Sequence, residues 1–285
     1  MIKKAVVLCG GLATRFLPYC KSIPKEMLPV VDKPLIQIIV EDLHNAGIED
    51  IMIIIGRNKE CIVNHFDRNV ELEERLIAKN KTKELESIKT PESLASIVFK
   101  RQIVPKGTGH AIEMAKTWVG NDPFVMCFGD EMFVTQGDNV FQQIIKEYEE
   151  HKKMVIACTE VETKDIPLYG IVRKSGNGKY FKVEEFVEKP TIDKAHSNIA
   201  NAGPAVLTPK IFDYLKDCKE SNFEITVTDA YAMALQEDNL YGRLIDGTKL
   251  DLGNRSAFVK ANIYMAMKEY GMEDEIVSYV DKIKK

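Results

Sequence analysis

A chain of 285 residues with 45% hydrophobic and 29% charged side chains has an ordinary globular composition and can bury a sizeable core. Its formal net charge of −4 and pI near 5.9 argue against a nucleic-acid binder that works through a broad basic face. The first 25 residues nevertheless carry five Lys or Arg and no Asp or Glu. Positive charge is therefore local, which suits a small anionic ligand.

The cysteine pattern and the N-terminus bear on location. The six cysteines are scattered, without a CxxC pair or a Cys/His ligand spacing, and predict free thiols in a reducing compartment. The apolar run before the first glycines is too short for a signal peptide, and no apolar run reaches membrane length. The expected location is the cytoplasm, with neither a membrane nor a nucleic acid as partner.

Short apolar runs alternate with helical patterns, which is typical of a parallel sheet with helices on both faces. In chain order these elements are a strand at 5–9, a helix at 35–46, a strand at 51–55, an exposed helix with a loop within 67–93, a strand at 97–101, a helix at 108–118, a strand at 124–128, a helix at 138–152 and a strand at 154–159. The first half of the chain thus predicts a doubly wound sheet.

The pattern changes after residue 160. Segments 169–173 and 180–188 flank a Ser-Gly-Asn-Gly turn and predict an antiparallel hairpin. The remaining elements are a strand at 202–207, helices near 209–217 and 226–237, a short strand pair around 242–250 and a final helix from about residue 255. Without a repeat, a linker or a break in composition, we expect one domain over residues 1–285. Its predicted fold is α/β, with a mostly parallel sheet and a small antiparallel insertion.

The first strand runs into Gly10 and Gly11, and Arg15, Lys21 and Lys25 follow within fifteen residues. Bare backbone N–H groups beside cations can hold several phosphates at once. Three interpretations compete. A dinucleotide-binding fingerprint lacks its third glycine, a P-loop lacks its closing Gly-Lys-Ser/Thr, and a plain strand-to-helix turn does not explain the cations.

Two aspartates follow predicted strands. Asp130 comes after the strand at 124–128, where a doubly wound sheet places its chemistry, and Asp251 lies between a short strand and a helix. Carboxylates at separate strand ends suit a hexacoordinate Mg²⁺ whose other ligands are phosphates. A helix N-cap is the alternative for Asp251, and sequence spacing does not show whether the two aspartates meet.

Other polar residues give weaker signals. Glu188 and Lys189 lie at the end of a predicted strand in which apolar and polar residues alternate. The sequence does not decide whether they form a surface ion pair or contact a ligand. His110 begins a helix, and a lone histidine there is more often structural than catalytic. The sequence has no HExxH or HxH pattern and no GxSxG elbow, so we expect neither a zinc site nor a serine nucleophile.

Together these motifs resemble the sugar-nucleotide pyrophosphorylase family, from Leu8 to about Asn262. The most specific stretch runs from Gly11-Leu12-Ala13-Thr14-Arg15 through Pro24-Lys25-Glu26-Met27-Leu28-Pro29-Val30 and continues to Lys33-Pro34-Leu35-Ile36-Gln37. Shorter matches are Gly107-Thr108-Gly109-His110-Ala111, Tyr169-Gly170, Glu188-Lys189-Pro190, Thr228-Asp229-Ala230 and Asp251-Leu252-Gly253-Asn254. The resemblance implies a Rossmann-like nucleotidyltransferase fold. It also implies transfer of a uridylyl group from UTP to glucose-1-phosphate, which yields UDP-glucose and pyrophosphate.

The resemblance implies a role for each matching residue. The nucleotide contacts would be Leu8, Gly10, Gly11, Gln102 and Gly107. The sugar contacts would be Gly170, Glu188, Lys189 and Gly203. The catalytic cations would be Arg15, Lys25 and Lys189, and the ligands of a Mg²⁺ cofactor would be Asp130 and Asp251. A homo-oligomer, either dimer or tetramer, is also implied.

The chain departs from the family pattern at several positions. Ala13 stands where a second loop glycine is usual and would disfavour a positive φ, and Cys20 replaces a usual threonine. Glu131 follows Asp130, Thr226 replaces a common glutamine, and Ala205 replaces a frequent aromatic residue. The alternatives are a related transferase for dTTP or another hexose-1-phosphate, a non-catalytic nucleotide-sugar sensor and, least favoured, a dehydrogenase.

Overall fold

The computed structural model describes residues 1–218 and 224–284, with Asp251 described by its backbone alone. The strands of this part are β1 (Lys4–Cys9), β2 (Pro29–Val30), β3 (Lys33–Pro34), β4 (Asp50–Ile55), β5 (Ser96–Arg101), β6 (Phe124–Phe128), β7 (Glu131–Val134), β8 (Met154–Glu160), β9 (Gly170–Lys174), β10 (Tyr180–Glu188), β11 (Ile199–Leu207), β12 (Leu240–Leu244) and β13 (Thr248–Asp251). The helices are α1 (Leu35–Asn45), α2 (Glu60–Phe66), α3 (Val70–Ala78), α4 (Thr82–Ser93), α5 (Gly107–Glu113), α6 (Lys116–Val119), α7 (Val140–His151), α8 (Ile211–Asp217), α9 (Val227–Gln236), α10 (Arg255–Lys268) and α11 (Glu273–Ile283).

One large sheet has the strand order β5-β4-β1-β6-β11-β8-β12-β10-β9. Strands β5, β4, β1 and β6 are parallel, and β12 is parallel to β8. The other neighbouring pairs in this order are antiparallel, including the predicted hairpin of β9 and β10. The α/β prediction is confirmed, but the sheet is mostly parallel only in its first half. The hairpin adds the outer strands of the same sheet and is not a separate layer.

The apolar strand β1 explains why this sheet is covered on both faces. Successive side chains of a strand point to opposite faces. Val6 and Leu8 lie in one buried cluster, with helices α8 and α9, whereas Val7 and Cys9 lie in the other, with helices α1 and α7. A strand that is buried on both faces has apolar residues at consecutive positions, as β1 has.

The structure corrects several elements of the predicted pattern. The segment at 67–93, predicted as one helix with a loop, contains the two helices α3 and α4. The segment around 242–250 is not a strand pair, because β12 joins the main sheet and β13 pairs with β7 in a separate two-stranded sheet. Ile245 donates its N–H to Cys158, and Asp246 donates to the Gln143 side chain, so the chain leaves the main sheet between them. The helix predicted at 108–118 divides into α5 and α6, and α11 follows α10.

Two further observations concern location and thiol chemistry. All six cysteines are free, as predicted. Among the described residues, none of the helices combines the length and the apolar composition that crossing a bilayer requires.

Candidate active site

Three of the predicted site residues lie at the carboxyl edge of the parallel strands. Gly10 follows β1, Gln102 follows β5, and Asp130 lies two residues beyond β6. Gly56, which follows β4, packs so closely that a Cβ there would lie 3.0 Å from the Gly10 carbonyl oxygen. This edge is where doubly wound sheets bind their ligands.

Gln102 links the first glycine to α5. Its side chain is buried, and its Oε1 would lie 2.8 Å from a Cβ on Gly10. Its Nε2 donates to His110 Nδ1 at 2.9 Å and to the Gly107 carbonyl at 3.3 Å. His110 therefore fixes the orientation of the Gln102 amide, a role that the lone-histidine signal did not predict.

Gly107 and Gly109 of the Gly-Thr-Gly motif pack against the backbone of Ile225. Gly107 has φ +88°, and a Cβ there would lie 2.5 Å from the Ile225 carbonyl oxygen. That oxygen accepts the Gly109 N–H at 2.8 Å. Thr226, which stands where the family commonly has a glutamine, forms the N-cap of α9. Its side chain and that of Asp229 make a reciprocal capping box. The motif is thus held by the loop that precedes α9.

Lys25 and Asp130 form the central ion pair of the site. Lys25 Nζ donates to Asp130 Oδ2 at 2.5 Å, and both side chains are mostly buried. The same Nζ would lie 3.6 Å from a Cβ on Gly11. Burial lowers the pKa of Lys25, but the Asp130 carboxylate, with a smaller contribution from Glu26, raises it, and the net pKa is raised. A permanent cation therefore lies beside the glycine loop.

A second, fully buried ion pair supports the first. Lys59 Nζ donates to Glu26 Oε1 at 2.6 Å. A Cβ on Gly129 would lie 3.0 Å from Glu26 Cγ, so Glu26 adjoins Lys25 in sequence and the residue before Asp130 in space. Burial raises the pKa of Glu26, against the opposing effect of Lys59. In the sequence, Glu26 stands out only within the Pro24-Lys25-Glu26 match, and nothing there indicates its partner Lys59.

Asp251 ends β13, directly opposite Glu131 in the β7–β13 ladder. Its backbone therefore lies beside the residue that follows Asp130, and a meeting of the two carboxylates stays a prediction. The N-cap of α10 is Asn254, whose side chain accepts the Ala257 N–H at 3.0 Å, so Asp251 is not the cap. The Asp251 side chain lies outside the described part of the structure.

The predicted sugar residues meet at β9 and β10. Gly170 is paired with Glu188, and a Cβ on Gly170 would lie 3.0 Å from Glu188 Oε2. Lys189 has φ +45° and donates its N–H to the Tyr169 carbonyl. Its ammonium lies 3.4 Å from the Glu188 carboxylate, and both side chains are exposed. Both are thus open to a ligand.

Gly203, the remaining predicted sugar residue, adjoins the residue that follows Asp130. It has φ +111° at an irregularity in β11, and a Cβ there would overlap the Glu131 carboxylate. Glu131 Oε1 accepts from Lys249 Nζ at 2.8 Å, and the same ammonium donates to the Ala202 carbonyl. Sequence comparison flagged Glu131 as a departure but did not reveal its partner.

Arg15 and Leu8 are placed differently from the other site residues. Arg15 is exposed on a 3₁₀ turn (Thr14–Phe16), and within the described part of the chain no ion pair holds it. Leu8 is buried in the core, and its carbonyl accepts the Gly129 N–H at 3.1 Å. Leu8 therefore supports the loop that carries Asp130, and its nucleotide contact stays a prediction.

The mixed α/β sheet carries a glycine turn and the Lys25–Asp130 ion pair at the carboxyl edge of its parallel strands, the edge where sheets of this kind bind their ligands. The chain belongs to the nucleotidyl transferase family, whose model matches residues 4–268. Enzymes of this family generally use a divalent metal ion.

Individual relatives are similar over almost their whole length. The UTP–glucose-1-phosphate uridylyltransferase 2 of Staphylococcus saprophyticus is 44% identical, over 99% of this chain and 98% of the relative. The UTP-bound UGPase from Acinetobacter baumannii is 35% identical, with a TM-score of 0.90 over 98% of this chain and 99% of that one. A UDP-glucose pyrophosphorylase complexed with UDP-glucose is 34% identical, with a TM-score of 0.86 over 94% of this chain and 100% of that one.

Proposed function

We propose that this chain transfers a uridylyl group from UTP to glucose-1-phosphate, with release of pyrophosphate. The observation that carries the proposal is the Lys25–Asp130 pair beside Gly11, at the carboxyl edge of the parallel strands. Relatives that are 41–44% identical over nearly the full chain bear the corresponding name. The UTP-bound UGPase of Acinetobacter and the UDP-glucose complex of a pyrophosphorylase support the two ligands.

The main obstacle to this reaction is the repulsion between two negatively charged substrates. The attacking group is a phosphate oxygen, which is mostly ionised at neutral pH because the second pKa of a phosphate ester is about 6. The reaction therefore needs no general base. Two unit charges at ~4 Å repel by roughly 4 kcal/mol even at an effective dielectric of about 20. Catalysis must hold the two anions in line and offset their charge.

We assign the residues of this chain to that task. The backbone at Gly10 and Gly11 approaches the nucleotide, and Gln102, fixed by His110, reads the edge of the uracil. Lys25 and Arg15 offset charge on the triphosphate and on the leaving pyrophosphate. Lys189 offsets charge on the sugar phosphate. The sugar residues Gly170, Glu188 and Gly203 bind the hexose, with Glu188 accepting hydrogen bonds from its hydroxyls.

Asp130 and Asp251 would hold the divalent cation, which we propose is Mg²⁺. Oxygen ligands suit this hard cation, and the Asp130 carboxylate already holds a positive charge, the Lys25 ammonium. The β7–β13 pairing brings the Asp251 backbone to the same edge. When bound, the ion would neutralise phosphate charge and orient both substrates.

Pyrophosphate release tests this proposal directly. The purified chain is assayed with UTP, dTTP, CTP and ATP against glucose-1-phosphate, galactose-1-phosphate and glucosamine-1-phosphate, with Mg²⁺ present. We expect the highest kcat/KM with UTP and glucose-1-phosphate. Preference for dTTP or another hexose would support a related transferase, and tight binding without turnover would support a sensor.

We also propose that residues 1–285 form a single cytoplasmic domain that assembles into a dimer or tetramer. The continuous nine-stranded sheet supports one domain. Exposed apolar side chains on the last two helices support assembly, among them Ile263, Tyr279 and Ile283. Light scattering coupled to size-exclusion chromatography measures the mass, and a monomer at micromolar concentration would contradict the proposed assembly.

A further inference from the structure

An ion pair outside the predicted site set lies between the aspartate edge and the sugar residues. Glu131 begins β7 and Lys249 lies in β13, so the pair crosses the two-stranded sheet diagonally. The two side chains are about one fifth and one eighth exposed, at 21% and 12%. Asp130 immediately precedes Glu131, and Asp251 lies two residues beyond Lys249. Each member of the pair thus lies within two residues of one proposed metal ligand in the sequence.

The same pair also touches the strands that carry the sugar residues. The Glu131 carboxylate occupies the space that a side chain at Gly203 would need. Lys249 Nζ donates to the Ala202 carbonyl at 2.8 Å and lies 5.4 Å from the centre of the Tyr169 ring. Tyr169 in turn accepts the Lys189 N–H and precedes Gly170. One pair therefore links β7 and β13 to β11 and to the residue before β9.

We propose that Glu131 and Lys249 are positioning residues that fix the proposed metal ligands relative to the sugar pocket. This inference rests on the proposed function and deepens it. Glu131 Oε2 is buried and has no hydrogen-bond partner among the described residues, so its position depends on Lys249 and on the space left by Gly203. A carboxylate held by one ion pair and by close packing fixes the spacing between β7 and β11.

The alternative is that the pair stabilises the fold and nothing more. A two-stranded sheet is marginal on its own, so a cross-strand ion pair would be useful for that reason alone. The two roles differ in what they predict. A structural role lowers the melting temperature, whereas a positioning role also changes metal affinity and the KM for the sugar phosphate.

The variants Glu131→Gln and Lys249→Met keep the size of each side chain and remove its charge. We expect each to raise the Mg²⁺ concentration for half-maximal activity by about 10–100-fold, as loss of residues that orient metal ligands typically does. The KM for glucose-1-phosphate should rise, with little change in metal-free UTP binding measured by calorimetry. The double variant should be no worse than the more affected single variant, because neither charge then stays unpaired.

A matched control is the ion pair of Glu147 in α7 and Arg243 in β12, neither of which belongs to the proposed site. Its side chains are 20% and 13% exposed, and Glu147 Oε1 lies 3.0 Å from Arg243 Nε. Glu147→Gln should lower the melting temperature about as much as Glu131→Gln and leave the metal dependence and KM unchanged. The comparison then separates a lost ion pair from lost positioning.

Mn²⁺ binding in the presence of UTP, measured by electron paramagnetic resonance, gives a readout without turnover. The inference is overturned if Glu131→Gln and Lys249→Met bind Mn²⁺ with wild-type affinity while losing only stability, as Glu147→Gln does. A wild-type chain that makes no UDP-glucose overturns the proposed function instead. In that event weaker Mn²⁺ binding by the two variants still supports the positioning role.

Discussion

The ammonium of Lys25 lies 2.5 Å from Asp130 Oδ2, at the point where the glycine loop meets the end of β6. Lys25 comes from a 3₁₀ turn (Lys25–Met27) more than a hundred residues before Asp130 in the chain. The buried pair of Glu26 and Lys59 supports the same turn. These contacts hold Lys25 and Asp130 in fixed positions, which is the arrangement that electrostatic catalysis requires.

The first prediction concerns Lys25. Lys25→Ala should lower kcat by about 100–1000-fold, because in the proposed mechanism it removes a preorganised charge at the reacting phosphates, and should change the KM for UTP much less. Steady-state kinetics with UTP and glucose-1-phosphate measures both. Lys21→Ala is the control, since Lys21 is exposed in the same basic segment. Near-normal turnover of Lys25→Ala would remove Lys25 from the mechanism.

The second prediction concerns Asp251. If Asp251 is a metal ligand, Asp251→Asn should raise the Mg²⁺ concentration for half-maximal activity by at least about 10-fold, because a neutral amide binds a hard cation less well. A Mg²⁺ titration at saturating substrates gives this value. Asp193→Asn, which alters an exposed aspartate in another turn, should leave it unchanged. An unaltered titration for Asp251→Asn would exclude Asp251 from the site.

The third prediction separates backbone strain from overlap at Gly203. Gly203→Ala meets both, because φ is +111° and the new Cβ would overlap Glu131. Gly137→Ala meets strain alone, since φ is +94° and nothing lies within 4 Å of the new Cβ. We expect a loss of about 1–2 kcal/mol at position 137 and about 3 kcal/mol or more at position 203. Urea unfolding measures both losses of stability. Equal losses would show that the Glu131 side chain can move away from the new Cβ at little cost.

Much of the fold and the site edge could be predicted from the sequence. The apolar runs of β1, β4 and β6 have local signals, since each ends in glycine or polar residues at the length of a buried strand. The Gly10-Gly11 turn and Asp130 follow from those strand ends. These features depend on short-range pattern, which a single sequence contains.

The remaining features depend on contacts between distant segments. The partner of β13 is β7, more than a hundred residues earlier, and nothing in the spacing of residues 242–250 indicates it. The Glu26–Lys59 and Glu131–Lys249 pairs likewise join residues that the pattern treats as unrelated charges. His110 shows the same limit, because its role follows from Gln102, which reaches it from the end of β5.

The fourth prediction concerns Ala13, where the sequence led us to expect that a positive φ would be disfavoured. The structure nevertheless has φ +51° and ψ +40° at this alanine. The left-handed region costs an L-residue about 1–2 kcal/mol, whereas glycine costs about 0.5–1 kcal/mol in added chain entropy. Ala13→Gly should therefore raise stability by about 0.5–1 kcal/mol. Ala195→Gly, at φ −80°, should lower it, and the same sign for both in urea unfolding would contradict this account.

The fifth prediction concerns pH and Asp42 in α1. Burial, with a further contribution from the Glu41 carboxylate, raises the pKa of Asp42 from 3.8 to about 7. Between about pH 4 and pH 7 the folded state keeps a proton that the unfolded chain has released. The free energy of unfolding must therefore fall as the pH rises through this window, and the full cost is present above pH 7.

Asp42→Asn removes this cost because the amide stays neutral at every pH. Relative to the wild type, the variant should match its stability near pH 4 and gain on the order of 2 kcal/mol at pH 8, after allowance for partial solvent screening. Urea unfolding at both pH values gives the difference. Asp217→Asn, an exposed aspartate at the end of α8, should show no such pH-dependent gain. An equal difference between Asp42→Asn and the wild type at pH 4 and pH 8 would mean that Asp42 ionises in the folded chain as easily as in the unfolded one.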